Sequence, residues 1–151
     1  MRVKAQNELK IILPALSENE SLARAVVAAF VSQLDPRVDE LVDIRTAVSE
    51  AVTNCIVHAY AGTRGDIILT ARSYENGRVV IRVQDRGCGI SNVEQAREPL
   101  FTTGGEERSG LGFSVMESLC DRVRVSSTPG RGTVVVLEKY IKRPEAEAAE
   151  R

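Results

Sequence analysis

Hydrophobic and polar positions follow two different periods along this chain, and each switch of period marks an element. Leu9, Ile11 and Leu13 fall on one side of a short stretch, Lys10 to Leu13 entered from Leu9, which reads as a strand. Pro14 closes it and, lacking an N–H, points to a sheet edge. Ile67, Leu69 and Ala71 alternate in a second strand, and Val79, Ile81 and Val83 in a third. Glu75-Asn76-Gly77 lies between them, and its Asn-Gly pair is a hairpin signal. Val123 and Val125 mark a fourth strand, Pro129 to Gly132 a turn, and Thr133, Val135 and Leu137 a fifth strand.

Helical spacing governs the rest. Ser17 with Glu20 fits a capping box, and Leu22, Val26, Ala29 and Phe30 continue as an amphipathic helix to about Leu34. Asp35-Pro36 predicts a restart, with Asp as N-cap and Pro as the first helical residue, for a helix that ends near Tyr60. Within it Leu41, Ile44, Val48, Val52, Cys55 and Ala59 form one apolar face. Glu50, Asn54 and His58 stack along another face, one turn apart. Gly110 to Cys120 returns to helix, with Leu111, Val115 and Leu119 on one side. From Ser91 to Ser109 the periodicity lapses, and Gly104-Gly105 makes this the segment expected to move most. The order βααββ-loop-αββ predicts one α+β domain over residues 1–141, a two-layer sandwich with a mixed sheet and helices on one face. The charged, alanine-rich tail, 142–151, is expected to fray.

The totals narrow the class. The chain has 151 residues, long enough for a substantial core, and no internal repeat. With 43% hydrophobic residues, 27% charged residues and a net charge of −1, it reads as globular, without the basic excess of a direct nucleic-acid binder. No apolar run approaches the roughly 20 residues of a membrane span, and the polar N-terminus is no signal peptide, so the cytoplasm is expected. Cys55, Cys88 and Cys120 lack metal or disulfide spacing. Cys55 and Cys120 read as small buried residues, and Cys88 as a possible exposed thiol without an evident activating neighbour.

Candidate chemistry comes from three places. Glu50 and Asn54, a carboxylate and a carboxamide one turn apart, could hold a hydrated Mg²⁺ and poise a base, although a solvated helix face explains such a pair as well. His58 continues that line; it reads as an anchor for the helix end rather than as a phosphoacceptor. Asp85-Arg86-Gly87-Cys88-Gly89-Ile90 ends a strand, where two glycines admit a flat ligand and the carboxylate can accept from an exocyclic amine. Ser109-Gly110-Leu111-Gly112-Phe113 opens a helix whose N–H groups suit phosphates, without the Lys-Ser/Thr that would make it a Walker loop.

Taken together, the ordered set resembles the Bergerat ATP-binding fold of the gyrase, histidine kinase and MutL superfamily. SENESLAR, QLDPRVDEL, VSEAVTNCIVHAY, PLFTT, ERSGLGF and GRGTVV are similar, over about Leu9 to Tyr140, to the sporulation anti-sigma-F factors, which are serine-protein kinases. The resemblance implies ATP and Mg²⁺ as cofactors. It implies Glu50 as the catalytic carboxylate, Asn54 as the Mg²⁺ ligand, and Asp85 as the receiver of the adenine amino group. Gly89 would lie beside the base, with Gly87 in the same motif and Thr133 nearby through water. Thr102, Thr103 and Arg108 would surround the phosphates, and Gly110 and Gly112 would line their path. Arg24 would contact protein partners, namely a sigma factor and the anti-anti-sigma antagonist that serves as substrate, and the protein would act as a homodimer. Phosphoryl transfer rests mainly on positioning and charge neutralisation, which a base, a metal ligand and a cationic lid residue supply.

Three rival expectations follow from the same residues. One is a sigma-binding module that uses ATP only structurally, against which Glu50 argues. Another is the catalytic domain of a sensor histidine kinase, against which the missing helical dimerisation domain and acceptor histidine argue. The last is the stress-response branch of anti-sigma kinases, from which SENES and QLDP separate this chain by resemblance.

Overall fold

In the computed structural model, which describes residues 4–61, 63–90, 93 and 109–141, the alternating stretches pair into one five-stranded sheet. The strands are β1 (Asn7–Pro14), β2 (Asp66–Ser73), β3 (Arg78–Asp85), β4 (Arg122–Thr128) and β5 (Gly132–Tyr140). Their spatial order is β1-β2-β3-β5-β4. Two apolar rows cross all five strands in register. Leu9, Ala71, Ile81, Leu137 and Val123 make one; Ile11, Leu69, Val83, Val135 and Val125 make the other. A slip of one residue would turn a whole row to solvent, so these rows fix the register.

The helices α1 (Glu18–Ser32), α2 (Val38–Asn54) and α3 (Ser109–Leu119) cover that face. Ile44, Ala47, Val48, Ala51 and Val52 of α2 are buried, as are Ala23, Val27, Phe30 and Val31 of α1 and Phe113 and Met116 of α3. Each large side chain so removed from water contributes about 1.5–3 kcal/mol before entropy is charged against it. Lys139 ties the layers: its Nζ donates to the carbonyl of Leu119 at 2.7 Å, at the C-terminus of α3, and lies 3.5 Å from Asp43 of α2.

The two-layer α+β sandwich expected from the pattern is present, and the pairings add detail to the mixed sheet. All four are antiparallel, so the sheet is mixed in connectivity, with β5 placed between β3 and β4, rather than in strand direction. Pro14 ends the edge strand, as its missing N–H requires. Gly77, at a φ of +84°, closes the β2–β3 hairpin.

Three local expectations need correction. Ser17 and Glu20 form no capping box: Ser17 makes no side-chain cap bond, and the Glu20 carboxylate turns to Arg24 and to Ser49 of α2. Asp35 is not the N-cap of α2, because it lies in the left-handed region at a φ of +55°. Arg37 takes that position, and its N–H donates to Glu40 Oε1 at 2.9 Å. Finally, α2 does not run as α-helix to Tyr60. Cys55–Ala59 widens into a π turn, in which the Tyr60 N–H reaches the Cys55 carbonyl at 3.3 Å. Cys55 is buried as expected, Cys120 only half-buried, and Cys88 exposed. The tail and most of the segment from Ser91 to Ser109 lie outside the described residues.

Candidate functional site

The end of α2 meets the start of α3 at a gap lined by three of the expected residues. A Cβ placed on Gly112 would lie 3.3 Å from Glu50 Oε2, 3.4 Å from Asn54 Nδ2 and 3.5 Å from Asn54 Oδ1. The bare glycine thus lets the first turns of α3 approach the carboxylate and the carboxamide without filling the space between them. Asn54 Nδ2 is buried and has no hydrogen-bond partner among the described residues. An orphaned donor of this kind costs about 1–3 kcal/mol, a burden expected where a ligand completes the shell.

The second part of the site is built where β3 ends. Asp85 is 5% exposed. Its Oδ1 accepts from the N–H groups of Gly87 at 3.0 Å and Thr133 at 3.2 Å. Its Oδ2 is faced by the Cys55 thiol at 3.6 Å. Burial first, and the Asp85 charge second, push the Cys55 thiol well above its ordinary range, so it remains a protonated donor. Gly132 starts β5 at a φ of +125°, pressed so closely on the Asp85 carbonyl that any side chain would collide with it.

The π turn sets the third wall. Its extra residue brings the Ala59 carbonyl to the Cys88 N–H at 2.9 Å, and Gly87 packs against the same carbonyl. Gly89, at a φ of +75°, lies against the Thr128 carbonyl, and the Gly130 N–H donates to the Cys88 carbonyl at 2.7 Å. The D-x-G-x-G loop is therefore clamped between the α2 extension and the β4–β5 turn.

Several contributors escaped sequence reasoning. Tyr60 accepts from the Arg86 N–H at 2.7 Å and donates to the Asp66 carbonyl at 2.6 Å, which fastens the loop after Asp85. Burial raises its hydroxyl above the usual tyrosine value. Ser127 pairs with Thr133 at 2.8 Å and accepts from the Ile90 N–H at 2.7 Å. Only its register opposite Thr133, unknowable before the strands pair, gives it away. The Cys55 thiol reads in sequence as an apolar filler.

Glu50, Asn54 and Gly112 thus come together, as do Asp85, Gly87, Gly89 and Thr133. Gly110 lies in the first turn of α3. Arg24 stands apart on α1, 3.8 Å from Glu20 and 37% exposed at its side chain. Thr102, Thr103 and Arg108 lie outside the described residues. Among the described residues no cluster of three His, Cys, Asp or Glu forms a metal site, and no helix is long and apolar enough to cross a membrane.

A buried carboxylate with one oxygen turned to a flat, glycine-walled loop, and an acid–amide pair at a helix entrance, fit the two ends of a nucleotide. Residues 13–139 match the family described as histidine kinase-like ATPase domain. The fold is similar to the histidine kinase domain of the blue-light activated histidine kinase of Erythrobacter litoralis EL346, with a TM-score of 0.57 and 19% identity over 87% of this chain and 65% of that one. It is also similar to the crystal structure of the RsbU and RsbW domains of a Mycobacterium tuberculosis protein, with a TM-score of 0.68 and 25% identity over 92% of this chain and 34% of that one. These define the class: a nucleotide-binding domain of the histidine kinase-like ATPases.

Sequence relatives narrow it. The chain is 51% identical to an anti-sigma F factor of Geobacillus sp. (strain WCH70), over 93% of this chain and 97% of that protein. It is 54% identical to one of Caldanaerobacter subterraneus subsp. tengcongensis, over 90% and 94%. The chain belongs to the anti-sigma F factor family.

Proposed function

We propose that this protein binds and inhibits a sigma factor of the sporulation type and transfers the γ-phosphoryl group of ATP to a serine of the antagonist that would release it. The observation that carries the catalytic half is the placement of Glu50 Oε2 and the Asn54 carboxamide together beside bare Gly112. A module that merely held ATP would need no carboxylate at that entrance.

In this reading Glu50 takes the proton from the serine hydroxyl as it attacks. Asn54, together with the phosphates, would hold Mg²⁺, which has no other dedicated cage among the described residues. The ion supplies charge neutralisation on the phosphates. Asp85 Oδ2 accepts from the adenine amino group, and Gly89 and Thr133 flank the base. Gly110 and Gly112 open the phosphate path to the N–H groups of α3, and Thr102, Thr103 and Arg108 close over the phosphates. Arg24, on α1, serves sigma factor and antagonist in turn, within a cytoplasmic homodimer.

Labelled ATP incubated with the purified chain and its antagonist tests the reading. Label is expected on a partner serine, with little in Glu50→Gln. Tight ATP binding without any transfer, under conditions where antagonist binds, would overturn the kinase assignment and leave a binding module.

A further inference from the structure

Asp85 has two oxygens with different surroundings. Oδ1 is taken by the two main-chain N–H groups of Gly87 and Thr133. Oδ2 has one donor facing it among the described residues, the Cys55 thiol at 3.6 Å, within the longer reach of sulfur. Cys55 is 3% exposed and continues the register of α2, its N–H reaching the Ala51 and Val52 carbonyls, so its thiol lies on the buried side of the helix, against the end of β3. Cys55 belongs to the same buried apolar cluster as Ala51, Val52 and Val83.

We propose that Cys55 is a positioning residue for base recognition: its S–H donates to Asp85 Oδ2 and fixes the direction in which that oxygen presents its remaining lone pair to the exocyclic amino group of adenine. The inference rests on the reading of Asp85 as the adenine receiver. Oδ1 alone, held by two donors, still allows the carboxylate plane to rock about Cβ–Cγ. A donor on Oδ2 removes that freedom and satisfies one lone pair of a buried oxygen, leaving the other for the base. A guanine carbonyl meeting this oxygen would find an acceptor, and the more rigidly that acceptor is held, the stronger the discrimination.

The test compares Cys55→Ala, Cys55→Val and Cys55→Ser, with Asp85→Asn as control, in calorimetric titrations of ATP and GTP. Cys55→Ala and Cys55→Val should each weaken ATP binding and narrow the ATP-over-GTP ratio by roughly two- to tenfold, the worth of one hydrogen bond. Val fills the volume that Ala leaves empty, so agreement between them separates the lost donor from the cavity. Cys55→Ser restores a donor and should recover the ratio. In the Raman spectrum of the unmutated protein, one of the three S–H bands should shift in Asp85→Asn and vanish in Cys55→Val, a readout independent of nucleotide. If Asp85→Asn collapses the ratio while Cys55→Ala and Cys55→Val leave it unchanged, the inference about Cys55 fails and the adenine reading stands. If Asp85→Asn itself leaves the ratio unchanged, the adenine reading fails first, and the role of Cys55 fails with it.

Discussion

The Ser49 hydroxyl donates to Glu20 Oε1, so α1 is fastened to α2 at the residue preceding Glu50. Glu20 Oε2 in turn lies 3.8 Å from Arg24. A partly exposed i,i+4 pair of this kind contributes only about 0.3–0.5 kcal/mol, so a partner's carboxylate can draw Arg24 away at small cost. Arg24→Ala should therefore weaken sigma factor and antagonist tenfold or more, as interface arginines often do. ATP affinity should stay within about twofold, since Arg24 shares no contact with the nucleotide site. Parallel titrations of both partners and of ATP check this. A large loss of ATP affinity would mean that the contact between α1 and α2 carries Arg24's effect into the site.

Glu50 and Asn54 should separate under mutation although they line the same gap. Glu50→Gln is nearly isosteric and should keep ATP while slowing transfer by about 10²–10⁴. Asn54→Ala should instead weaken the Mg²⁺ dependence of binding, visible as a shifted Mg²⁺ titration. Gly112→Ala adds a methyl 3.3 Å from Glu50 Oε2. It should impair nucleotide binding and transfer together, and normal nucleotide binding in that variant would remove Gly112 from the phosphate path.

Much of this architecture was legible because it is periodic. Ile67, Leu69 and Ala71 repeat every second residue and are all wholly buried; Ile44, Val48 and Val52 repeat at helical spacing and are buried too. What escaped was non-local or aperiodic. The Ser17–Glu20 capping signature was genuine in sequence, yet Glu20 gains partners on α2 and on its own helix that no local pattern encodes. Asp35 looked like a cap, but its left-handed backbone leaves that task to Arg37 and Glu40. A π turn adds one residue and leaves no periodic trace, so the bond between the Ala59 carbonyl and the Cys88 N–H could not be foreseen. The bond between Asp85 and the Thr133 N–H spans 48 positions and exists only once β3 and β5 pair.

Two glycines of the β4–β5 turn should respond very differently to alanine. Gly130 has a φ of +79°, but a methyl added there would meet nothing within 4 Å, so Gly130→Ala should cost only the left-handed penalty, about 1 kcal/mol. Gly132 combines a φ of +125° with a collision against the Asp85 carbonyl. Gly132→Ala should cost about 3 kcal/mol or more and displace Asp85, with loss of ATP binding. Denaturant midpoints of the two variants provide the comparison. Equal costs would show that the close approach of Gly132 to Asp85 is not maintained in solution.

Stability should fall in alkali, and the sign follows from the thiols. Burial pushes Cys120 from 9.0 to about 11, and Cys55 well above 9.0. The folded state thus holds these protons more tightly than the unfolded chain does. Unfolding releases protons once the pH passes the unfolded value, so the contribution is fully present below about pH 9 and is lost as pH rises toward the folded values. Each such group steepens the decline by at most about 1.4 kcal/mol per pH unit. Tyr60, also raised by burial, adds to the same trend above its ordinary value of 10.0. Denaturation with reductant present, at pH values spanning 9 to 11, should show stability falling across the window. In Cys120→Val, which removes one titrating thiol from the half-buried site beside Lys139 and Asp43, the decline should be shallower. A pH-independent stability across that window would mean that neither thiol is shielded from water as the packing of α2 and α3 on the sheet requires.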